Sequence, residues 1–157
     1  MAIRVRYTYT EYKHFPGATQ ASQKHSLLAM AIPLVAIILF ALLISFDVNF
    51  TISIIGTIAF CILCYAVLWG RYDHDIINGI FLGINGVSNE QRKIIVNRFM
   101  SGKQFGTGDI SSACKVATLL KSLDLDYRNR RIALGEYCEK RHSVFSYFGI
   151  KDICDLE

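Results

Sequence analysis

Between residues 27 and 69 the chain carries one charged side chain, Asp47, and no histidine. A surface helix needs a polar face, so a charge-free stretch of this length excludes an ordinary amphipathic helix there. Asp47 lies in a three-residue connection, Asp47-Val48-Asn49, which divides the stretch into two apolar runs, 27–46 and 50–69. As a helix each run spans roughly 30 Å, the thickness of a bilayer's hydrocarbon core, and together they read as a transmembrane hairpin.

Other absences narrow the reading. There are 2 prolines, Pro16 and Pro33, and Pro33 falls in the second turn of the first run, where a missing donor costs least, so at most a slight kink is expected. Ile44-Ser45-Phe46-Asp47 lacks the small residues of a signal cleavage site, and the run before it exceeds the roughly 7–15 residues of a signal's apolar segment, so this run is expected to be retained. Cysteine is odd in number: of 5, two lie in the second run and three beyond it, which argues against a disulfide framework. Hydrophobic residues make up 52% of the chain and are concentrated in the middle, as in a protein divided between two solvents.

The charges follow the same division. Residues 1–26 hold Arg4, Arg6, Lys13 and Lys24 against Glu11, and every other Lys or Arg lies at Arg71 or later. The positive-inside rule therefore puts both termini in the cytoplasm and the short connection on the far side, with a bacterial inner membrane as the expected setting. Bases and acids nearly balance beyond Arg71, so nucleic-acid binding is not expected. Attraction of anionic headgroups near Lys24 and Arg71 is, at about 1 kcal/mol per basic residue at the surface.

Three parts result: a basic arm (1–26), the hairpin (27–69) and a cytoplasmic helical domain (70–157). In the arm, Ile3, Val5, Tyr7 and Tyr9 alternate with Arg4, Arg6, Thr8 and Thr10, which favours a short strand over residues 2–10, with a partly ordered arm as the alternative. Phe15-Pro16-Gly17 breaks the chain, and 18–26 is a polar approach to the membrane. In the second run Ser53, Gly56, Thr57 and Cys61 recur at helical spacing, and such small residues let helices approach in lipid. The stripe is expected to face Ala29, Pro33 and Ala36, or else another subunit or a second copy of the chain. Lys24, Tyr65, Trp69, Arg71 and Tyr72 are the expected interfacial anchors.

Beyond Arg71 short amphipathic helices are expected. Residues 75–84 carry Ile76, Ile77, Ile80, Phe81 and Ile84 at spacings of three and four and stop at Asn85-Gly86. Ser88 with Gln91 makes a capping box for a helix to about Ser101, burying Ile94, Ile95, Val96 and Phe99. Asp109 caps a third helix to about Leu123, with Ile110, Ala113, Cys114, Ala117, Leu120 and Leu123 inward. Asp126 would cap a fourth bearing Tyr127, Ile132, Leu134 and Cys138, although the alternation over 123–127 also fits a strand. Phe145, Tyr147, Phe148 and Ile150 make the tail apolar enough for a partner to cover.

Asn85-Gly86-Val87-Ser88-Asn89-Glu90 between two helices, then Gly106-Thr107-Gly108-Asp109 before a helix ending Leu123-Asp124-Leu125, resembles the TerB-like helical domain of membrane-anchored DnaJ-type co-chaperones over residues 73–141. The resemblance implies a helical bundle. This chain has Asn85 where that family usually has an acid, and no J-domain His-Pro-Asp, so the family's acid-based metal binding does not carry over.

Candidate chemistry is sparse. Cys61 and Cys64 have the spacing of redox and metal sites, but in a lipid-buried helix without a nearby base or cation desolvation opposes the thiolate, and packing is the simpler role. Tyr72-Asp73-His74-Asp75 offers two carboxylates and an imidazole, yet adjacent helical residues point about 100° apart, and a polar helix start favoured by the dipole accounts for them. His14, His25 and His142 are isolated and read as solvated. The glycine-rich segment 102–108 lacks the Gly-Lys-Ser/Thr ending of a phosphate loop, and Asn49-Phe50-Thr51, a glycosylation sequon, abuts the second run. No catalytic, cofactor-binding or metal residue is nominated, and the runs lack the ionisable groups of a transporter path. The expectation is an all-α membrane protein acting as an adaptor or subunit. Its partners would be the bilayer and a protein, either a subunit of a secretion or conjugation machine or a membrane-active toxin countered by an immunity protein. A membrane redox or metal-dependent enzyme using Cys61/Cys64 or Asp73/His74/Asp75 is the alternative.

Overall fold

A computed structural model describes residues 12–101 and 109–150, and among them every regular element is helical. The helices are α1 (Pro16–Ser45), α2 (Phe50–Phe81), α3 (Asn89–Ser101), α4 (Ile110–Arg128) and α5 (Leu134–Tyr147). The expected strand at residues 2–10 lies outside the described residues.

α1 and α2 form an antiparallel hairpin. Each is long and apolar enough to cross a membrane, and at 30 and 32 residues they run about 45 and 48 Å, well beyond the apolar runs inside them. α1 starts eleven residues before the apolar run because Pro16 opens the helix instead of breaking the chain: at N1 its missing donor is one no helix uses. Pro33 consequently lies in the interior of α1, not in its second turn. At the far end Asp47 takes a left-handed conformation (φ 56°), and Asn49 caps α2 by accepting from the Thr51 N–H at 2.9 Å.

α2 passes through Tyr72-Asp73-His74-Asp75 without interruption, so this segment is helix interior and not the start of a separate helix at 75–84. The local reason is the lack of a breaker. Gly70 alone disfavours helix there, by about 1 kcal/mol relative to Ala, while Ile76, Ile77, Ile80 and Phe81 are fully buried on the continuing face.

The core lies beyond the apolar runs, around the protruding ends of the hairpin. Tyr12, Phe15 and Ala18 meet Ile76, Ile77, Ile80 and Phe81 of α2, Ile95 and Val96 of α3, and Ile110, Ala113, Cys114, Ala117 and Leu120 of α4. Reciprocal bonds of Ser88 and Gln91 (3.0 and 3.2 Å) form the capping box of α3, and Asp109 caps α4 by accepting from the Ser112 N–H at 3.0 Å. On α3 the inward residues are Ile95 and Val96, with Phe99 partly buried and Ile94 exposed.

Two expectations beyond α4 are corrected. α4 continues through 123–127 to Arg128, so this segment is neither a strand nor the start of a fourth helix; left-handed Arg130 (φ 55°) turns the chain, and α5 begins at Leu134. The apolar tail is not a free surface: Phe145 (0% exposed), Phe148 (8%) and Ile150 (7%) belong to the core, and only Tyr147 (73%) faces outward. α5 presents 141, 145 and 148 to the core at helical spacing, which leaves 147 on the opposite face.

Candidate functional site

The polar groups gather where the hairpin leaves its apolar runs. His25 of α1 is 7% exposed, and its Nε2 lies 2.9 Å from Oδ2 of Asp75 on α2. The other Asp75 oxygen faces His74 Nδ1 at 3.3 Å. Partial burial pushes the Asp75 carboxyl up, but the hydrogen bonds and charges of the two histidines together outweigh it and hold the group below the usual carboxylate range. An ionised Asp75 only accepts, so the His25 Nε2 donates in this bond. The His25 Nδ1 is buried without a partner. One turn away the Tyr12 hydroxyl donates to Ser22 Oγ at 3.1 Å and shares a 2.9 Å bond with the Tyr72 hydroxyl, and the Tyr72 ring stands edge-on to His25, 5.4 Å between centroids. These contacts tie the chain before α1, α1 and α2 together at one level.

Farther from the apolar runs the two backbones touch. A Cβ added to Gly17 would stand 2.5 Å from the Gly79 carbonyl oxygen, and one added to Gly79 would stand 2.6 Å from the Gly17 carbonyl and the Ala18 nitrogen. Only glycine permits this crossing. An open groove of about 210 Å³ beside it is lined mainly by Phe15, Pro16, Gly17, Ile80 and Lys121, smaller than the roughly 300–1,000 Å³ of ligand pockets.

Within the runs, Ser53 is fully buried, Thr57, Cys61 and Cys64 are half-buried, and α1 presents Ile32 and Ala36 as buried with Ala29 half-buried. Gly56 and Pro33 depart from the expected stripe: both are exposed, and Gly56 has open space where a Cβ would stand. The seam keeps the spacing 53, 57, 61, 64, and 56 lies off it by about 100° from 57. Of the five anchor residues, Lys24, Tyr65, Trp69 and Arg71 are exposed, while Tyr72 is half-buried in the polar cluster. Tyr65 also donates to the Ala29 carbonyl at 3.1 Å.

Sequence reasoning missed Arg141. It is 6% exposed, and its guanidinium donates to the Gly86 carbonyl (2.6 Å), the Asn85 carbonyl (3.4 Å) and the Tyr137 hydroxyl (2.8 Å). The Asn85 side chain in turn donates to Asp124 Oδ2 at 3.1 Å, so the α2–α3 turn is held by both α4 and α5. The signal available in sequence is the i, i+4 pairing of Tyr137 with Arg141, then Phe145 on the same face.

Among the described residues no three His, Cys, Asp or Glu side chains converge into a metal-binding set. His25 of α1 joins Asp75 of α2 across the seam, and His74 meets Asp75 from within α2. No protein-family model, curated protein or solved structure matches this chain.

Proposed function

We propose that the protein is an integral membrane adaptor: α1 and α2 cross the bilayer as a hairpin with both ends on the cytoplasmic side, and the helical domain there binds a protein partner. The observation that carries the membrane reading is exposed apolar surface. Leu27, Leu34, Ile37, Ile55, Ile62 and Leu63 are each more than 60% exposed, and little of either apolar segment is covered by the rest of the chain. A core helix of a soluble protein buries such residues, whereas lipid leaves them outward-facing at no cost.

The adaptor reading is supported by the join between membrane and domain. α2 runs from the apolar run into the core with no linker, and the Gly17–Gly79 crossing and the His25–Asp75 clasp brace it. A domain held this way presents fixed faces at the membrane surface, which suits docking of a subunit of an envelope secretion or conjugation machine, or of a membrane-active toxin met by an immunity protein. The inner membrane of a bacterium is the proposed location, and the TerB-like resemblance is compatible with the bundle.

The test is flotation of the full-length protein with phospholipid vesicles, protease protection of tags on each terminus, and cross-linking in mild detergent followed by mass spectrometry. Flotation, both tags on one face and a recurrent protein partner are expected. Protein left at the bottom of the gradient, or tags on opposite faces, would overturn the hairpin. Unchanged function without any cross-linked partner would overturn the adaptor role.

A further inference from the structure

We infer that Lys24 and Arg71 together hold the phosphate of an anionic phospholipid in the leaflet that faces the helical domain. The inference rests on the membrane reading above and gives that membrane a lipid preference with an address.

His25 and Tyr72 both stand in the seam, with ring centroids 5.4 Å apart, so they mark one level of the hairpin. Lys24 precedes His25 by one residue and Arg71 precedes Tyr72 by one. A dyad perpendicular to the axes relates the two helices of an antiparallel pair, so residues with the same offset from the seam fall on the same face. The two cations therefore flank the seam on one side, on helices whose axes pack roughly 8–10 Å apart. Because the helices run in opposite directions, Lys24 lies one residue farther from the apolar runs and Arg71 one residue nearer than the seam pair, about 3 Å apart along the axes. Both are exposed.

Neither has an ion-pair partner among the described residues. α1 contains no Asp or Glu at all. On α2, Asp75 is engaged by His25 and His74, and Asp73, two residues on from Arg71, lies roughly 200° around the helix. Two like charges across a seam repel, and one oxyanion between them turns that repulsion into two attractions. A guanidinium offers such an anion a planar fork of donors and an ammonium a point charge, a set that suits the oxygens of a phosphate.

The height identifies the source of the phosphate. Lys24 is three residues from Leu27 and Arg71 two from Trp69, where the apolar runs end, which is roughly 3–5 Å along the axis and the depth of the headgroups. Trp69 (60% exposed) and Tyr65 (43%) stand on the hydrocarbon side of that level, as interfacial aromatics do.

The experiment uses the full-length protein, first floated with phosphatidylcholine vesicles and then extracted with equimolar phosphatidylglycerol and phosphatidylcholine. The ratio of the two lipids retained is read by native mass spectrometry. Wild type is expected to favour phosphatidylglycerol, Lys24→Gln and Arg71→Gln each to lower the ratio on the order of fivefold, the double variant further, and Lys115→Gln on α4 not to change it. Equal preference in wild type and the double variant, or an equal loss in Lys115→Gln, overturns the site. Displacement of the lipid by millimolar inorganic phosphate makes this a free-phosphate site and overturns the lipid assignment. Circular dichroism checks folding, and the two single variants stand in should the double variant not fold. Failure of wild type to float defeats the membrane reading, whereas flotation without lipid preference defeats this inference alone.

Discussion

The Tyr65 hydroxyl donates to the carbonyl of Ala29 across the helix seam at 3.1 Å. Ala29 lies four residues before Pro33, so its carbonyl is the acceptor that the proline, lacking an N–H, leaves without its helical bond. In lipid an orphaned carbonyl is costly, and a hydroxyl from the neighbouring helix is one of the few groups able to satisfy it. Tyr65→Phe should cost about 0.6–1.7 kcal/mol of hairpin stability, the range for interhelical bonds in membranes. Pro33→Ala restores the Ala29 bond within α1, so Tyr65→Phe should cost little in that background. Thermal or denaturant unfolding in detergent of all four proteins gives the coupling, and additive costs would mean that the two residues act separately.

The Gly17–Gly79 crossing makes a second, sharper demand. Because the atoms met by an added Cβ are backbone, neither helix yields without moving as a whole. Gly17→Ala and Gly79→Ala should each destabilise by about 1–3 kcal/mol, and the pair by less than the sum, since the first substitution already parts the helices. Gly56→Ala and Gly70→Ala, with open space at the Cβ, should be neutral or stabilising through helix propensity. Melting temperatures of the four variants in one detergent check the contrast.

What is legible in sequence divides along physical lines. The caps at Ser88, Gln91 and Asp109 and the inward face of α4, from Ile110 to Leu123, are local properties and the structure contains them. The extent of α2 is less legible, because one helix continuing through Tyr72 and a new helix starting at Asp75 have the same apolar period. Phe145 and Phe148 illustrate another gap: an apolar face near the end of a chain has one pattern whether it meets its own core or a partner. The seam of the hairpin is hardest to read, since apolar residues ring both helices and only burial distinguishes Ser53 from Gly56.

Arg141 bonds two carbonyls of the α2–α3 turn, and Gly86 makes room for it. Gly86 has a φ of 72°, and a Cβ there would stand 2.6 Å from a guanidinium nitrogen. Arg141→Met removes a buried charged donor from the Asn85 and Gly86 carbonyls and the Tyr137 hydroxyl and should cost about 1.5–3 kcal/mol, with Arg141→Lys between it and wild type. Gly86→Ala should cost at least about 1–2 kcal/mol from the left-handed backbone, before the clash is counted. Unfolding midpoints order the series, and an Arg141→Met variant as stable as wild type would show the bonds to be dispensable.

The two aromatics Phe145 and Tyr147 are two residues apart on opposite faces of α5. Phe145, fully buried beside the Arg141 guanidinium 4.9 Å from its ring centroid, should cost about 3–5 kcal/mol when replaced by Ala. Tyr147→Ala should change stability by no more than about 0.5 kcal/mol. If a partner covers this end of the domain, Tyr147→Ala weakens cross-linking to it while leaving the melting curve in place, a separation that Phe145→Ala cannot provide.

Asp75 gives the fold an acid limit whose direction follows from its environment. Burial raises the carboxyl's proton affinity, the histidines lower it more, and the net result lies below the ordinary value. The unfolded chain therefore binds this proton more readily than the folded one, so stability falls as pH falls. The Asp75 contribution is fully present above the ordinary aspartate value of about 3.9 and is lost as pH drops through the lower folded value. Thermal midpoints in detergent between neutral pH and about pH 3 should decline at the acid end in wild type and decline less in Asp75→Asn. Because the carboxyl is 43% exposed, added salt should shrink the difference between the two curves. Parallel curves at all pH values would show that the clasp between α1 and α2 does not depend on the charge of Asp75.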